Sequence, residues 1–161
     1  MTPSIRPATP ADVPTISRLI RALAVYEKLE HQVDHTEDDL QRTLFGPRPY
    51  AEVLLAELAG VPVGYALFFH NYSTFLARPG LYLEDLFVLP EHRGKGAGKA
   101  LLVSVAAIAV ERGCPRLDWC VLDWNTPAID FYRALGADPL PEWKVMRATG
   151  PGLKKLAGTV A

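Results

Sequence analysis

The chain has 161 residues, of which 49% are hydrophobic, 22% charged and 9% aromatic, the proportions of a single soluble globular domain with a real core and not of a disordered chain. Seventeen basic residues against eighteen acidic ones leave a formal net charge of -1, so no global basic field draws nucleic acid or anionic lipid, and any charged ligand must be held by a local cluster. The longest run free of Asp, Glu, Lys and Arg, residues 58–77, is broken by Gly60, Pro62, Gly64, His70 and Asn71, which argues against a membrane span.

Residues 1–11 lack the apolar stretch of a secretory signal, which makes the cytoplasm the expected compartment. Residues 4–8 read as a short first strand. Thr9, Pro10, Ala11 and Asp12 then open a helix, on which Val13, Ile16, Ile20 and Leu23 recur at helical spacing toward a core. Pro14 leaves open where that helix begins. A second helix is expected over residues 36–44, ended by Gly46 and Pro47. The period then changes: residues 53–58 and 61–69 are apolar runs separated by Ala59 and Gly60, an antiparallel hairpin. Residues 70–80 read as a loop and 81–89 as a buried strand stopped by Pro90. Residues 96–112 carry the helical stripe Leu101, Val105, Ile108 and Arg112, closed by Gly113. A strand over 117–122, a short helix from Thr126 to Gly136 and a last strand over 143–148 complete the chain, and residues 150–161 are expected to fray. The order β-α-α-β-β-β-α-β-α-β describes an α/β (α+β) domain with a mixed sheet and helices on it. Cys114 and Cys120 lack the C-x-x-C spacing and are expected to be buried free thiols.

Arg93-Gly94-Lys95-Gly96-Ala97-Gly98 stands at a strand-to-helix turn, where glycines let a ligand approach the backbone and several N–H groups converge. With Arg93 and Lys95 adding charge, a phosphorylated ligand is the natural guest; the competing reading is a turn that merely starts a helix. The spacing G-x-G-x-G is not the dinucleotide fingerprint, and Gly98-Lys99 is followed by Ala100, so the P-loop pattern fails as well.

The glycine turn, following Leu-Tyr-Leu-Glu-Asp-Leu-Phe-Val at 81–88, resembles the acetyl-CoA motif of the GCN5-related N-acetyltransferases (GNAT). Within that superfamily, Ile5-Arg6-Pro7-Ala8-Thr9, Tyr26-Glu27, Tyr82 to Asp85, Val121 to Asn125 and Asp130-Phe131-Tyr132 resemble the diamine acetyltransferases acting on spermidine, spermine or thialysine. The matches run from residue 5 to about residue 148. The resemblance implies the GNAT fold, with a mixed, mostly antiparallel central sheet flanked by helices. It implies acetyl-CoA as co-substrate, no metal, a small primary amine as acceptor, direct transfer in a ternary complex, and a homodimer.

It also implies roles. The donor would be held by the backbones of Leu86, Phe87 and Val88, by Arg93, Gly94, Lys95, Gly96, Ala97, Gly98 and Lys99, and by Asn125, Thr126, Pro127 and Ala128. Tyr132 would be the general acid that protonates the departing thiolate, and also a donor contact. Without the resemblance, Tyr132 reads as a half-buried packing tyrosine. Glu84 would bind the amine and relay its proton, which the chemistry needs because a free alkyl ammonium has a pKa near ~10.4. An unpaired charge at mid-strand is costly, so Glu84 is expected to have a partner, and a structural ion pair with Arg93 is its bland alternative. Asp85 is expected on the opposite sheet face as a structural partner. A bulge in this strand would free a backbone N–H to polarise the thioester carbonyl. The amine side would be lined by Tyr26, Glu27, Asp118, Trp119, Cys120 and Glu142; Glu27 with Glu30 and Lys28 also reads as a solvated helix face.

His31 and His35 are four apart, as two metal ligands on a helix face would be, but no third-ligand motif accompanies them. Trp119, Trp124 and Trp143 are expected to pack, because no basic neighbours accompany them for stacking on nucleic-acid bases. The sequence reading is therefore an N-acetyltransferase for a polyamine or a thialysine-like amino acid. Acetylation of a protein or peptide amine, or a non-catalytic acyl-CoA sensor, are the alternatives.

Overall fold

The structure is a computed structural model that describes residues 2–159. By packing it falls into two compact units, one running through Cys120 and the other from Val121.

In the first unit, β1 (Ser4–Pro7) leads through a short 3-10 turn at Pro10–Asp12 into α1 (Val13–Glu27). Pro14 lies in the first turn of α1, where no intrahelical N–H bond is lost, so it starts the helix without breaking it. α2 (Glu37–Phe45) follows, its N-terminus capped by Thr36, whose hydroxyl accepts from the Asp39 N–H at 3.1 Å. β2 (Glu52–Leu58) and β3 (Val61–Ser73) form the expected hairpin across Ala59 and Gly60, both at positive φ (51° and 77°) as a two-residue hairpin turn requires. β4 (Arg78–Val88) runs back beside β3, and the segment expected as a loop over 70–80 is a hairpin extension, with His70 opposite Leu81 and Ser73 opposite Arg78. His70, Asn71, Tyr72 and Ser73 show no apolar run, yet backbone pairing to a neighbour carries the strand past the point where the apolar pattern stops. α3 (Ala97–Glu111) and the short β5 (Leu117–Trp119) complete the unit.

The five strands stand in the order β1-β2-β3-β4-β5, antiparallel throughout except for the parallel pair β4 and β5. Alternation sorts the side chains. Val53, Leu55, Tyr65 and Phe87 pack with Val13, Ile16 and Leu19 of α1 and Leu40 and Leu44 of α2. α3 packs on β1 to β4 and buries Leu101 and Val105 completely. Gly113, at φ 69°, ends its last turn.

The second unit contains α4 (Thr126–Ala134) and α5 (Gly150–Leu156). The strand expected over 143–148 is not formed. Trp143, Val145 and Met146 are 75%, 72% and 88% exposed, and an apolar run without a ladder partner has nothing to hold it extended. The tail expected to fray is instead partly helical. α4 has no fully buried residue: Ala128 and Phe131 are half-buried and Leu135 is exposed, a weaker stripe than the sequence spacing predicts. Trp143 is exposed, against the expectation that it packs; Trp124 is exposed and Trp119 half-buried. Cys114 is half-buried and Cys120 exposed, so neither is the buried thiol expected. Among the described residues, no helix is long and apolar enough to cross a membrane.

Candidate active site

The site is organised by an irregularity in β4. Across the β3–β4 ladder Leu67 faces Asp85 and Phe68 faces Leu83, so Glu84 is the extra residue of a β-bulge. The bulge changes the reading of both acids. Glu84 is exposed and has no ion-pair or hydrogen-bond partner among the described residues, because the bulge turns it out to solvent where none is required. The alternative reading, an ion pair with Arg93, is not met among the described residues. Asp85 shares its sheet face with Tyr65 and Phe87 and accepts a hydrogen bond from the Tyr65 hydroxyl at 2.8 Å, the structural partnership anticipated for it.

Glu27, in the last turn of α1, is close enough to feel Asp85: burial first, and the Asp85 charge second, raise its pKa. Burial and then the Glu84 charge raise that of Asp85, partly offset by the Tyr65 hydroxyl. Burial pushes the Tyr65 phenol well up, with Asp85, Glu27 and Glu84 adding to the shift. The Asp85 carboxylate thus acts on Glu27 at the helix end, and Glu84 in the bulge acts on Asp85. Such a group repels anions and rewards a cation that sheds its charge to them.

Tyr26 lies against Phe87, ring centroids 6.4 Å apart. The Arg93 guanidinium carbon sits 4.3 Å from the centre of the Tyr26 ring, and Nε of Arg93 donates to the Val88 carbonyl at 3.0 Å. Arg93 therefore faces Tyr26, the aromatic that the sequence reading gave to the amine side, although that reading gave Arg93 itself to the donor turn. Asp118 is engaged elsewhere: Arg116 Nε lies 2.9 Å from its carboxylate and Asn71 Nδ2 donates to it at 3.0 Å, which leaves less of its charge for a ligand than the sequence suggests. The Tyr82 hydroxyl donates to Cys120 Sγ at 3.1 Å; burial, then that bond, raise the Tyr82 pKa. His31 lies in a short 3-10 turn and His35 beyond it, within 3.2 Å of Ser17 Oγ, so they share no helix face.

The donor side is prepared by backbone. Gly96 occupies the N-cap of α3 in the left-handed conformation (φ 84°), and no side chain caps that end, whereas α2 has Thr36 and α4 has Asn125. The first N–H groups of α3 are thus left for an anion, which the helix dipole favours. A Cβ at Gly94 or Gly96 would enter open space, so the turn is bare of side chains where a ligand backbone or phosphate would approach. The β4–β5 ladder covers only Leu81 to Leu83, and from Glu84 to Val88 the β5-side edge of β4 carries no ladder among the described residues. An extended, amide-bearing arm fits such an edge. A concavity of about 600 Å³, lined by Leu58, Ala59, Val61, His92 and Lys95, opens beside the β2–β3 turn and not over the carboxylates.

Asn125, Thr126, Pro127, Ala128, Tyr132 and Glu142 belong to the second unit. There Asn125 is buried and caps α4, its side-chain oxygen accepting from the Ala128 N–H at 3.4 Å. The Tyr132 ring stands 5.4 Å from that of Phe131, and Glu142 is exposed. Sequence reasoning missed Tyr65, Asn71 and Arg116. Tyr65 carried one signal: it is the hydroxyl-bearing residue within the apolar run from Val61 to Phe69, and such a group needs a partner when buried.

An uncapped helix N-terminus after a glycine turn, an open edge on β4 and acidic side chains at the β4 bulge are features that suit an anionic ligand and a cationic one. The acetyltransferase (GNAT) family model matches residues 17–137, and the chain belongs to that family. It is similar to the thialysine N-ε-acetyltransferase of Bos taurus, 43% identical over 96% of each chain. It is also similar to the L-ornithine N5-acetyltransferase of Arabidopsis thaliana, 36% identical over 94% of this chain and 86% of that one. Among solved structures, an integron cassette protein from the mobile metagenome of V. cholerae superposes with a TM-score of 0.82 at 28% identity, covering 98% of each chain. A soil-metagenome aminoglycoside acetyltransferase shares the fold, with a TM-score of 0.78 at 21% identity. The protein is an N-acetyltransferase of a family whose acetyl donor is acetyl-CoA.

Proposed function

We propose that the protein transfers the acetyl group of acetyl-CoA to a primary amine of a small molecule carrying a second charge, a thialysine- or ornithine-like amino acid or a polyamine. The observation that carries this reading is the β4 bulge, which turns Glu84 out to solvent beside the buried Asp85, whose charge is felt by Glu27. Bound acetyl-CoA supplies an acyl group already activated as a thioester. The N–H groups at the start of α3, with Gly94 to Lys99, hold the phosphates, and the backbones of Leu86, Phe87 and Val88 take the arm. Asn125 to Ala128 complete the donor contacts. Tyr26, Glu27, Asp118, Trp119, Cys120 and Glu142 line the acceptor side. Glu84 accepts the ammonium proton through water, which its exposure allows, and Tyr132 gives a proton to the departing sulfur. No covalent enzyme intermediate is needed. The reading extends to a homodimer in the cytoplasm, and to a single N-acetyltransferase domain over residues 1–161.

Free-thiol release from acetyl-CoA, measured separately with thialysine, ornithine, spermidine, spermine and a lysine-bearing peptide, tests it. Turnover with a small amine supports the reading. Turnover with the peptide alone favours a protein acetyltransferase, and coenzyme binding without any turnover favours a sensor.

A further inference from the structure

Arg93 opens the glycine turn, yet its guanidinium lies over the Tyr26 ring while its Nε is tied to the backbone of β4. Its guanidinium carbon is 4.3 Å from the Tyr26 ring centre and 5.7 Å from that of Phe87, while Nε is held by the Val88 carbonyl at 3.0 Å. Tyr26 immediately precedes Glu27, and α1 stops there: Lys28 is already left-handed at φ 60°. The end of a helix frays unless something holds it. Here one face of the last turn rests on Phe87 and the next contact is the Arg93 cation, tied to β4 by its own hydrogen bond. A cation near a helix C-terminus is also favoured by the helix dipole.

We infer that Arg93 is a positioning residue for the amine, not a ligand of the donor phosphates: stacked on Tyr26, it fixes the last turn of α1 and so sets where Glu27 stands beside Asp85. This rests on the proposed function, because it assigns Tyr26 and Glu27 to the acceptor. It gives the enzyme a physical link between the two substrates, since the residue that begins the donor turn also braces the acceptor wall.

The test compares Arg93→Ala, Arg93→Lys, Tyr26→Leu, Tyr26→Phe and the double variant Arg93→Ala/Tyr26→Leu. Each is assayed for the KM of the amine, kcat and the dissociation constant of coenzyme A. A stacked cation at an exposed site is worth roughly a two- to fivefold change, so the KM for the amine should rise by about that factor in Arg93→Ala. Coenzyme affinity should fall by a smaller factor than the amine KM rises, because the stacking contact removed is to Tyr26 and the one tie lost on the donor side is the hydrogen bond to the Val88 carbonyl. Arg93→Lys should recover part of the loss, since an ammonium still sits over the ring. Tyr26→Phe, which keeps a ring under the cation, should lose less than Tyr26→Leu, and the double variant should be no worse than Tyr26→Leu alone. Weakened coenzyme binding with an unchanged amine KM would overturn the inference, as would additive losses in the double variant. Thermal melts of each variant separate misfolding from mispositioning, and Arg93→Lys keeps the comparison readable if Arg93→Ala unfolds. Equilibrium binding of thialysine to the coenzyme-loaded protein reads the same comparison without turnover. A wild type inactive on every amine would defeat the proposed function; an active wild type with donor-side effects in Arg93→Ala would defeat only the inference.

Discussion

Asp85 carries two demands on one carboxyl. Stability favours its neutral form, because burial and the Glu84 charge raise its pKa above that of the unfolded chain; capture of an ammonium favours its charge. The sign follows from linkage. A carboxyl whose folded pKa is raised costs the fold nothing below its unfolded pKa, and the penalty grows as pH rises toward the folded one. Asp85→Asn keeps an oxygen to accept from Tyr65 and removes the charge. Its melting temperature at pH 8 should therefore exceed that of the wild type by roughly 2–4 °C, the equivalent of about 1 kcal/mol in a chain of this size, and the gap should close toward pH 4. The same variant should raise the KM for the amine, a trade of function for stability that thermal melts and initial rates measure together. Where Glu84 relays the proton and Tyr132 returns one, Glu84→Gln and Tyr132→Phe should each lower turnover by about 10²-fold or more. Tyr132→Phe should leave coenzyme binding nearly unchanged. Turnover equal to that of the wild type would remove the residue concerned from the mechanism.

At the scale of elements, the glycine turn separates folding from binding. Gly98 lies within α3, and a Cβ there would meet only Val88 Cγ2 at an ordinary 3.7 Å. Gly98→Ala should thus leave the melting temperature unchanged or raise it, since alanine is favoured over glycine in a helix by about 1 kcal/mol. A methyl group in the donor cradle should nevertheless weaken acetyl-CoA binding, which calorimetry would show against an unperturbed melt. The turn was legible because three glycines between a strand and an apolar helix have few other uses. α1, α2, the β2–β3 hairpin and α3 were legible for a similar reason: apolar period and caps agree along those segments. The β3–β4 hairpin end was not, because its strands are held by backbone pairing and not by an apolar pattern. Residues 143–148 misled in the opposite direction. Trp143, Val145 and Met146 have the composition of a strand, but a strand also needs an edge to pair with.

Across the whole molecule, a net charge of -1 hides a local concentration of acid, and the function depends on the local value. Added salt screens that field, so the amine KM of a doubly charged acceptor should rise with ionic strength more steeply than that of a singly charged one. Equal slopes would deny the carboxylates their role in capture. The residue types of the site were visible in the sequence, and their arrangement less so. A one-residue bulge decides that Glu84 is exposed while Asp85 is tied to Tyr65, and no strand pattern announces it. Arg116 and Asn71 occupy Asp118 through contacts between distant positions that only the fold supplies. The central claim is that this acetyltransferase is built for small, doubly charged amines. One competition measures it most directly: thialysine, ornithine, spermidine and a lysine-bearing peptide at equal concentration, with limiting acetyl-CoA and mass spectrometry of every product. The account predicts acetyl groups on the small amines in large excess over the peptide; acetyl groups mainly on the peptide would contradict it.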